Sequence, residues 1–417
     1  MKVENLHKLF LKSFLVDTDT RNIRENSIFF ALKGDNFNGN KFAEQAIKSG
    51  ASFAVIDDEQ FKISDKFILV DDVLITLQNL ANYHRDYLNI PILALTGSNG
   101  KTTTKELINA VLSSKYITTA TKGNLNNHIG VPLTLLSMNK DTEIGIVEMG
   151  ANHHKEISFL SNMTNPDFGY ITNFGSAHLE GFGSLEGVIK AKSELYDFLR
   201  NNEKKVFVNS SDDIQLENTE NINRIIFDDS LKFIEANPFV KLLYKGIEIS
   251  SKLIGSYNYT NIAAAITIGD YFDVSKEKIK QAIESYLPSN NRSQIIQTKT
   301  NKIILDAYNA NPTSMKAALD SFKLLNSPNK VVILGDMFEL GTYSDIEHQK
   351  FADYLSNAGF DKVLLLGDNF YKTKTQSLKF SNFNDLKNYL VKNSIKDSTI
   401  LIKGSRGIAL ERVVELC

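Results

Sequence analysis

The residues best placed to do chemistry are Thr96-Gly97-Ser98-Asn99-Gly100-Lys101-Thr102-Thr103-Thr104-Lys105. An apolar run, Ile92-Leu93-Ala94-Leu95, precedes them and reads as a buried strand. Leu107, Ile108, Val111 and Leu112 follow at helical spacing. A glycine-rich turn between a strand and a helix start points backbone N–H groups and the positive end of a helix dipole at one spot, which suits phosphate oxygens. Lys101 adds a full charge for β- and γ-phosphates, and the Thr102 hydroxyl can reach Mg²⁺. Leu95 stands where the full P-loop pattern has its first glycine, so the shortened form T-G-x-x-G-K-T is what this chain carries.

Other candidates gather around this loop. Ile144–Gly150 reads as a buried strand with Glu148 at its carboxyl end, where a carboxylate would hold Mg²⁺. Phe168–Asn173 is the next strand, and His178 lies just past it, in reach of a second metal or a phosphate. Asn124, Asn126, Asn127 and His128 crowd one turn-rich stretch that could wrap a polar ligand. Asn258 and Asn261 are one helical turn apart and can face one ligand. His153-His154 with Glu156 lack the spacing of a zinc motif and read as solvent-facing. Lys190 and Lys192 read, by pattern alone, as a solvated helix face. Near the N-terminus, Thr18, Thr20 and Arg21 and the loop holding Gly34 and Asn38 are candidate contacts, although a lone arginine is more often a surface residue.

These residues need a scaffold. The 417 residues are too many for one ordinary core, so several domains are expected. Residues 1–89 read as a small α/β domain, opening with a short amphipathic helix around Leu9–Val16 rather than a signal peptide. Residues 90–288 read as a central, mostly parallel sheet with helices, with 210–252 a weakly patterned peripheral strand-and-loop insertion. Pro288–Arg292 is a polar linker, and residues 289–417 read as a Rossmann-like α/β domain. Its strands, Ile303–Asp306, Val331–Leu334, Val363–Leu366 and Ile400–Ile402, each end in a polar turn, which implies a binding edge. Lys403 and Arg406 there would suit a carboxylate. A net charge of −2 argues against a general nucleic-acid or membrane binder. A single cysteine, Cys417, excludes an internal disulfide and fits a reducing compartment, so cytoplasm is expected. No apolar run is long enough to span a bilayer.

Taken together, these motifs resemble those of the Mur ligases, the ATP-dependent amide ligases of peptidoglycan synthesis. The carriers are the T-G-x-x-G-K-T loop, Gly123–Pro132, Glu148-Met149-Gly150, Thr172–Gly183 with His178, Asp306–Pro312, Gly335–Gly341 and Lys403–Arg406. The resemblance spans essentially the whole chain. Asn126–Pro132 and the last two motifs favour the member that adds D-alanyl-D-alanine to UDP-N-acetylmuramoyl-tripeptide through an acyl phosphate.

The resemblance implies roles for named residues. Gly97, Ser98, Asn99, Gly100, Lys101, Thr102 and Thr103 would cradle ATP, with Asn258, Asn261, Arg292, Asp306, Tyr308 and Asn309 around the nucleotide. Thr102 and Glu148 would hold a first Mg²⁺, and His178 a second. Lys192 falls where the family carries a lysine carbamylated by CO₂, so Lys101, His178 and Lys192 form the implied catalytic set. Thr20, Arg21, Gly34 and Asn38 would hold the UDP end of the substrate. Asn124, Asn126, Asn127 and His128 would face its other parts, and Asp336, Lys403 and Arg406 the dipeptide. A monomer is expected. The chain departs from the family at Tyr257, where histidine commonly precedes the asparagine, and the departure touches a nucleotide contact.

Two other functions share part of this pattern. A sister ligase would add a single amino acid, but the diamino-acid enzyme's own recognition motif is not found in the last domain. A P-loop kinase or nucleotide-gated binding protein would use the same loop with no amide chemistry.

Overall fold

The computed structural model describes residues 1–417. Three parallel-type sheets follow one another along the chain. The first, in the order Val16–Asp17, Ile28–Phe30, Phe53–Ile56 and Phe67–Leu69, is fully parallel. The second has six parallel strands ordered Asn223–Ile226, Lys205–Val208, Phe168–Ile171, Ile92–Thr96, Ile144–Glu148 and Thr118–Ala120. The third runs Gln294–Gln297, Lys302–Asp306, Thr399–Lys403, Lys330–Gly335, Lys362–Leu366 and Leu378–Phe380, with only its first strand antiparallel. The inner strands are continuous apolar runs because helices cover both faces of each sheet.

In the second sheet the strand Ile92–Thr96 is the point of reversal. From it the chain goes to one side, to Thr118–Ala120 and back to Ile144–Glu148, then crosses to the other side at Phe168–Ile171. The carboxyl ends of the strands flanking such a reversal face a crevice, and Thr96, Glu148 and Ile171 end there. Helix Lys101–Leu112 packs against helix Asn258–Tyr271. Ala263, Ala264, Ala265 and Gly269 permit the close approach, and a Cβ on Gly269 would lie 2.4 Å from Val111. A continuous apolar cluster carries Ile28 and Val55, then Ile92 and Val147, then Ile304 and Leu334, tying the three sheets together.

Three expectations change. The first helix is Val3–Phe10, not Leu9–Val16: the backbone turns at Phe14, whose φ is +54°, and Val16 is already paired beside Ile28. Residues 210–252 are more regular than their pattern suggests. Asn223–Ile226 completes the central sheet, while Lys232–Ala236, Phe239–Tyr244 and Ile247–Ile254 form a separate antiparallel sheet. Lys192 is on no solvated face: it is 1% exposed within helix Leu185–Asn201. No helix is long and apolar enough to cross a membrane.

Candidate active site

The loop Thr96–Gly100 is held from two sides. Gly97 sits at φ +141°, where a Cβ would meet the Thr172 hydroxyl at 2.0 Å, so only glycine fits. Gly100, at φ +79°, starts helix Lys101–Leu112 against the Asn261 amide, 2.6 Å from where a Cβ would be. The Asn99 carbonyl accepts from the Thr172 hydroxyl (2.6 Å) and the Asn173 amide (3.0 Å), and Asn173 Oδ1 accepts the Asn99 N–H. Ser98 Oγ donates to the Gly175 carbonyl. Lys101 Nζ donates to the Gly97 carbonyl at 2.7 Å, folded over the loop it would share with phosphate. Burial pushes that ammonium down, the Glu148 anion opposes the fall, and Arg292 adds to it.

Glu148, 1% exposed, ends its strand directly under this loop. Its Oε1 accepts from the Thr102 hydroxyl (3.2 Å) and the Asn126 amide (2.8 Å). Its Oε2 is buried and takes no hydrogen bond, with the ammonium of Lys105 3.8 Å away. A carboxylate oxygen so placed is costly unless a cation joins it. A hard oxygen pair of hydroxyl and carboxylate beside a phosphate-type loop fits Mg²⁺.

The cleft these groups line encloses about 550 Å³. It contains Ser98, Asn99, Gly100, Lys101, Thr102, Thr103, Asn124, Asn126, Asn127, His128, Glu148, His178, Asn258, Asn261, Arg292, Asp306, Tyr308, Asn309 and Lys403. Sequence patterns from eight separate stretches therefore meet in one place. The opposite wall comes from the third sheet. Arg292 lies over the Tyr308 ring at 3.7 Å and Arg406 at 5.2 Å, with Arg406 Nη1 donating to the Tyr308 hydroxyl. That stack offers a flat cationic face suited to a nucleotide base or phosphate.

Several expected contacts have other work. Asn261 Oδ1 accepts from the Thr104 hydroxyl, its amide donates to Asn258 Oδ1, and the Asn258 amide donates to the Ile254 carbonyl. This chain of amides ties helix Asn258–Tyr271 to the loop. Asn127 Oδ1 accepts the N–H groups of Ile129 and Gly130 and so starts helix Gly130–Leu136. Lys403, 2% exposed, lines the cleft but already pairs with a carboxylate of this chain, Asp306, at 2.6 Å. Asp336 is also 2% exposed and lies off the cleft: its oxygens accept the N–H groups of Asn369 and Phe370 at the start of helix Asp368–Lys372. In this arrangement it caps that helix start.

Lys192 and Gly97 sit behind the lining rather than on it. Lys192 Nζ donates to the Ala151 carbonyl at 3.2 Å and lies 5.2 Å over the Phe182 ring. Burial first, then the nearby Lys101 charge, holds its ammonium well below the usual lysine range. Thr20, Arg21, Gly34 and Asn38 do not reach the cleft. Arg21, exposed, folds back on Asp19 at 2.6 Å, and Asn38 Oδ1 accepts from Asn40.

Sequence reasoning missed Asn311, Thr313 and Ser314, which line the cleft from the start of helix Pro312–Leu324. Their signal was legible: Asn-Pro-x-Ser is a helix start, and Asn311 and Ser314 form a reciprocal cap. Asn311 also donates to Asn99 Oδ1 across the cleft (2.8 Å), and Thr313 accepts the Ser176 N–H. Asn152 and Ser293 were not assigned either, Glu156, read as solvent-facing, lines the cleft, and so does Tyr257, with its hydroxyl 2.9 Å from Ser293 Oγ. The linker is fixed by Glu106, which accepts from Tyr286 (2.6 Å) and Asn290 (2.7 Å).

Known proteins with this architecture were found along the whole chain. A Mur ligase middle-domain model matches residues 95–269, a Mur ligase glutamate-ligase-domain model 291–406, and a Mur ligase family catalytic-domain model 15–92. The sequence is 36% identical to the UDP-N-acetylmuramoyl-tripeptide--D-alanyl-D-alanine ligase of Bacillus subtilis, over 96% of this chain and 92% of that relative. The fold is similar to the crystal structure of MurF from Acinetobacter baumannii, with a TM-score of 0.86 and 30% identity over 96% of this chain and 92% of the other. It is also similar to the MurF ligase from Thermotoga maritima in complex with ADP, with a TM-score of 0.84 and 25% identity over 96% of each chain. With the motifs, the cleft and these full-length likenesses in agreement, the chain belongs to the Mur ligase family.

Proposed function

We infer that this protein is an ATP-dependent ligase that joins D-alanyl-D-alanine to UDP-N-acetylmuramoyl-tripeptide, forming ADP and phosphate in cytoplasmic synthesis of peptidoglycan precursor. The observation that carries this reading is the buried Thr102–Glu148 pair under the phosphate loop, with Glu148 Oε2 taking no hydrogen bond. It supports a phosphoryl-transfer site, and the full-length relatives bear the ligase name.

In the proposed reaction the tripeptide's terminal carboxylate attacks the γ-phosphorus of ATP and ADP leaves. The amine of D-alanyl-D-alanine then attacks the carbonyl of the acyl phosphate. The tetrahedral intermediate collapses, phosphate leaves, and the nitrogen sheds a proton. Two anions must approach in the first step, so cations are the main requirement of the site. Lys101 supplies one, and Arg292 a second from the opposite wall. Thr102 and Glu148 would hold a first Mg²⁺ and His178 a second, and bound Mg²⁺ would neutralise charge developing on the phosphates. Lys192 is suited to carbamylation because burial favours its neutral amine. As a carbamate it would be an anion beside Lys101 and a ligand for the second Mg²⁺.

We also propose the functional division of the chain. Residues 1–89 would bind the UDP end, with Thr20, Arg21 and the Gly34–Asn38 loop in reach of a long substrate. Residues 90–288 would bind ATP, and 289–417 the dipeptide. Closing the third unit on the second would exclude water from the acyl phosphate.

The test is release of ADP and phosphate from ATP and Mg²⁺ with UDP-muramoyl-tripeptide, with and without D-alanyl-D-alanine. Release that needs both substrates and yields the pentapeptide is the expected result. Release driven instead by a single amino acid moves the protein to a sister ligase. Release that ignores both leaves a nucleotide-binding protein without ligase activity.

A further inference from the structure

His178 is at the end of the second sheet's crevice, and its backbone is left-handed, at φ +53°. Facing it from the third unit is Glu339, also left-handed, at φ +62°. Neither residue is glycine or asparagine, so each conformation costs roughly 1 kcal/mol or more and needs its surroundings to hold it. The two strained residues meet. Glu339 Oε2 is 2.6 Å from His178 Nδ1, and the Glu339 carbonyl accepts the Glu180 N–H at 3.2 Å. Nδ1 is buried and makes no hydrogen bond: the 2.6 Å approach of Glu339 is close but falls outside in-line hydrogen-bond geometry, while the ring lines the cleft.

The loop that carries Glu339 is anchored on both sides. The Met337 N–H donates to buried His348 Nε2 (3.0 Å), and the Phe338 N–H donates to Ser405 Oγ (2.9 Å). Gly341, at φ +54°, lets the chain pass close to Glu180. The carboxylate is therefore presented by a rigid part of the third unit to a group of the second. The contact with His178, and the Lys101 charge behind it, hold its carboxyl below the usual glutamate range against the pull of burial.

We propose that Glu339 is a positioning residue for His178: when the third unit is docked, a small turn of the ring lets its carboxylate accept a hydrogen bond from Nδ1–H, which keeps the proton on Nδ1 and leaves Nε2 as the lone-pair nitrogen toward the cleft. An imidazole that donates one N–H to a carboxylate has its tautomer and ring plane fixed, and its other nitrogen is the better ligand. One half of the catalytic face is then completed only by the arrival of the other. The role of Nε2 toward phosphate or metal rests on the ligase reading above, but the tautomer does not.

The experiment uses full-length protein with ¹⁵N-labelled histidine, with His178→Gln to assign the signal. In the wild type without ligands, His178 should show a protonated Nδ1 and an unprotonated Nε2. In Glu339→Ala the His178 signals should move to a tautomer mixture, and in Glu339→Gln too, because an amide does not select one nitrogen in the same way. In turnover, Glu339→Ala should lose about 10–100-fold in kcat with the ATP KM within about twofold. Glu339→Asp should recover part of the loss. An unchanged His178 tautomer in Glu339→Ala, in protein with a wild-type melting curve, would overturn the proposal whatever the enzyme's activity. Loss of turnover that comes only as a raised ATP KM would overturn it as well, since a merely misdocked third unit predicts that pattern. Absence of ligase activity in the wild type would strike the ligase reading and leave the tautomer result standing.

Discussion

Two stretches of this chain look alike on paper. Thr96–Thr104 and Thr20–Asn40 both mix glycine, asparagine, threonine and a basic residue. In the structure they differ in what surrounds them. The first is packed against Thr172, Asn173 and Asn261, and its glycines face atoms 2.0 and 2.6 Å from any added Cβ. In the second, Gly39 is crowded only by the backbone of its own loop at Ala31 and Leu32, a Cβ on Gly34 would meet nothing within 4 Å, and the charge of Arg21 is turned on Asp19 in solvent. Composition marks polar loops. What makes one a site is its place at the carboxyl edge of a sheet, under a strand reversal, with a buried carboxylate beneath it.

That contrast can be broken from the stronger side first. Lys101→Met should lower turnover by about a thousandfold, because it removes a charge aimed at the transferred phosphate. Its melting temperature should stay within a few degrees. If turnover survives, the loop is not where the chemistry happens. Gly97→Ala should cost about 3 kcal/mol of stability, read by denaturant melts, since the Thr172 hydroxyl has no room to yield. Gly34→Ala should be close to neutral on the same assay.

Glu148→Gln keeps the shape of the floor and removes its charge. We expect the Mg²⁺ concentration for half-maximal activity to rise at least tenfold, with ADP binding in the absence of metal little changed. An unchanged Mg²⁺ dependence would mean that Oε2 is not a ligand.

The N-terminal unit joins the rest through a buried seam in which His7 Nε2 meets His84 Nδ1 at 3.0 Å and His84 Nε2 meets the Met138 carbonyl at 2.9 Å. Burial, and then the neighbouring histidine, lower His7 from 6.5 to about 4. The unfolded chain therefore takes up protons near pH 6.5 that the native state refuses until about pH 4. Stability from this seam is full above pH 6.5 and is lost as pH falls through that window. Melting temperatures measured from pH 8 to 4 should show the decline, and His7→Gln should flatten part of it. Among the effects on turnover, the smallest belongs to Arg21. Arg21→Ala should raise the KM for the UDP substrate only about three- to tenfold and leave the ATP KM alone.

Much of this was readable before any coordinates. Strand–loop–helix order around Lys101, and the carboxylate at the end of Ile144–Glu148, follow from apolar runs and glycine spacing, and both hold. What pattern could not reach was direction and neighbours. Lys192 falls on a helix with a lysine two residues before it, and a charged pair reads as solvated. Its burial depends on Phe182 and Ala151, which other elements supply. Asp336 sits in a polar turn like the lining residues but caps a helix off the cleft, and Lys403 reaches the lining already paired with Asp306, through contacts set only by the fold. The edge strands Gln294–Gln297 and Leu378–Phe380 were invisible because half-exposed strands of three or four residues carry little alternation.

The central claim is that this cleft activates a carboxylate by moving a phosphoryl group onto it. The direct measurement uses UDP-muramoyl-tripeptide labelled with ¹⁸O in its terminal carboxylate, turned over with ATP and D-alanyl-D-alanine, with the released phosphate read by mass spectrometry. An acyl phosphate requires one ¹⁸O to appear in each phosphate. Phosphate free of label, with pentapeptide still formed, would contradict the account.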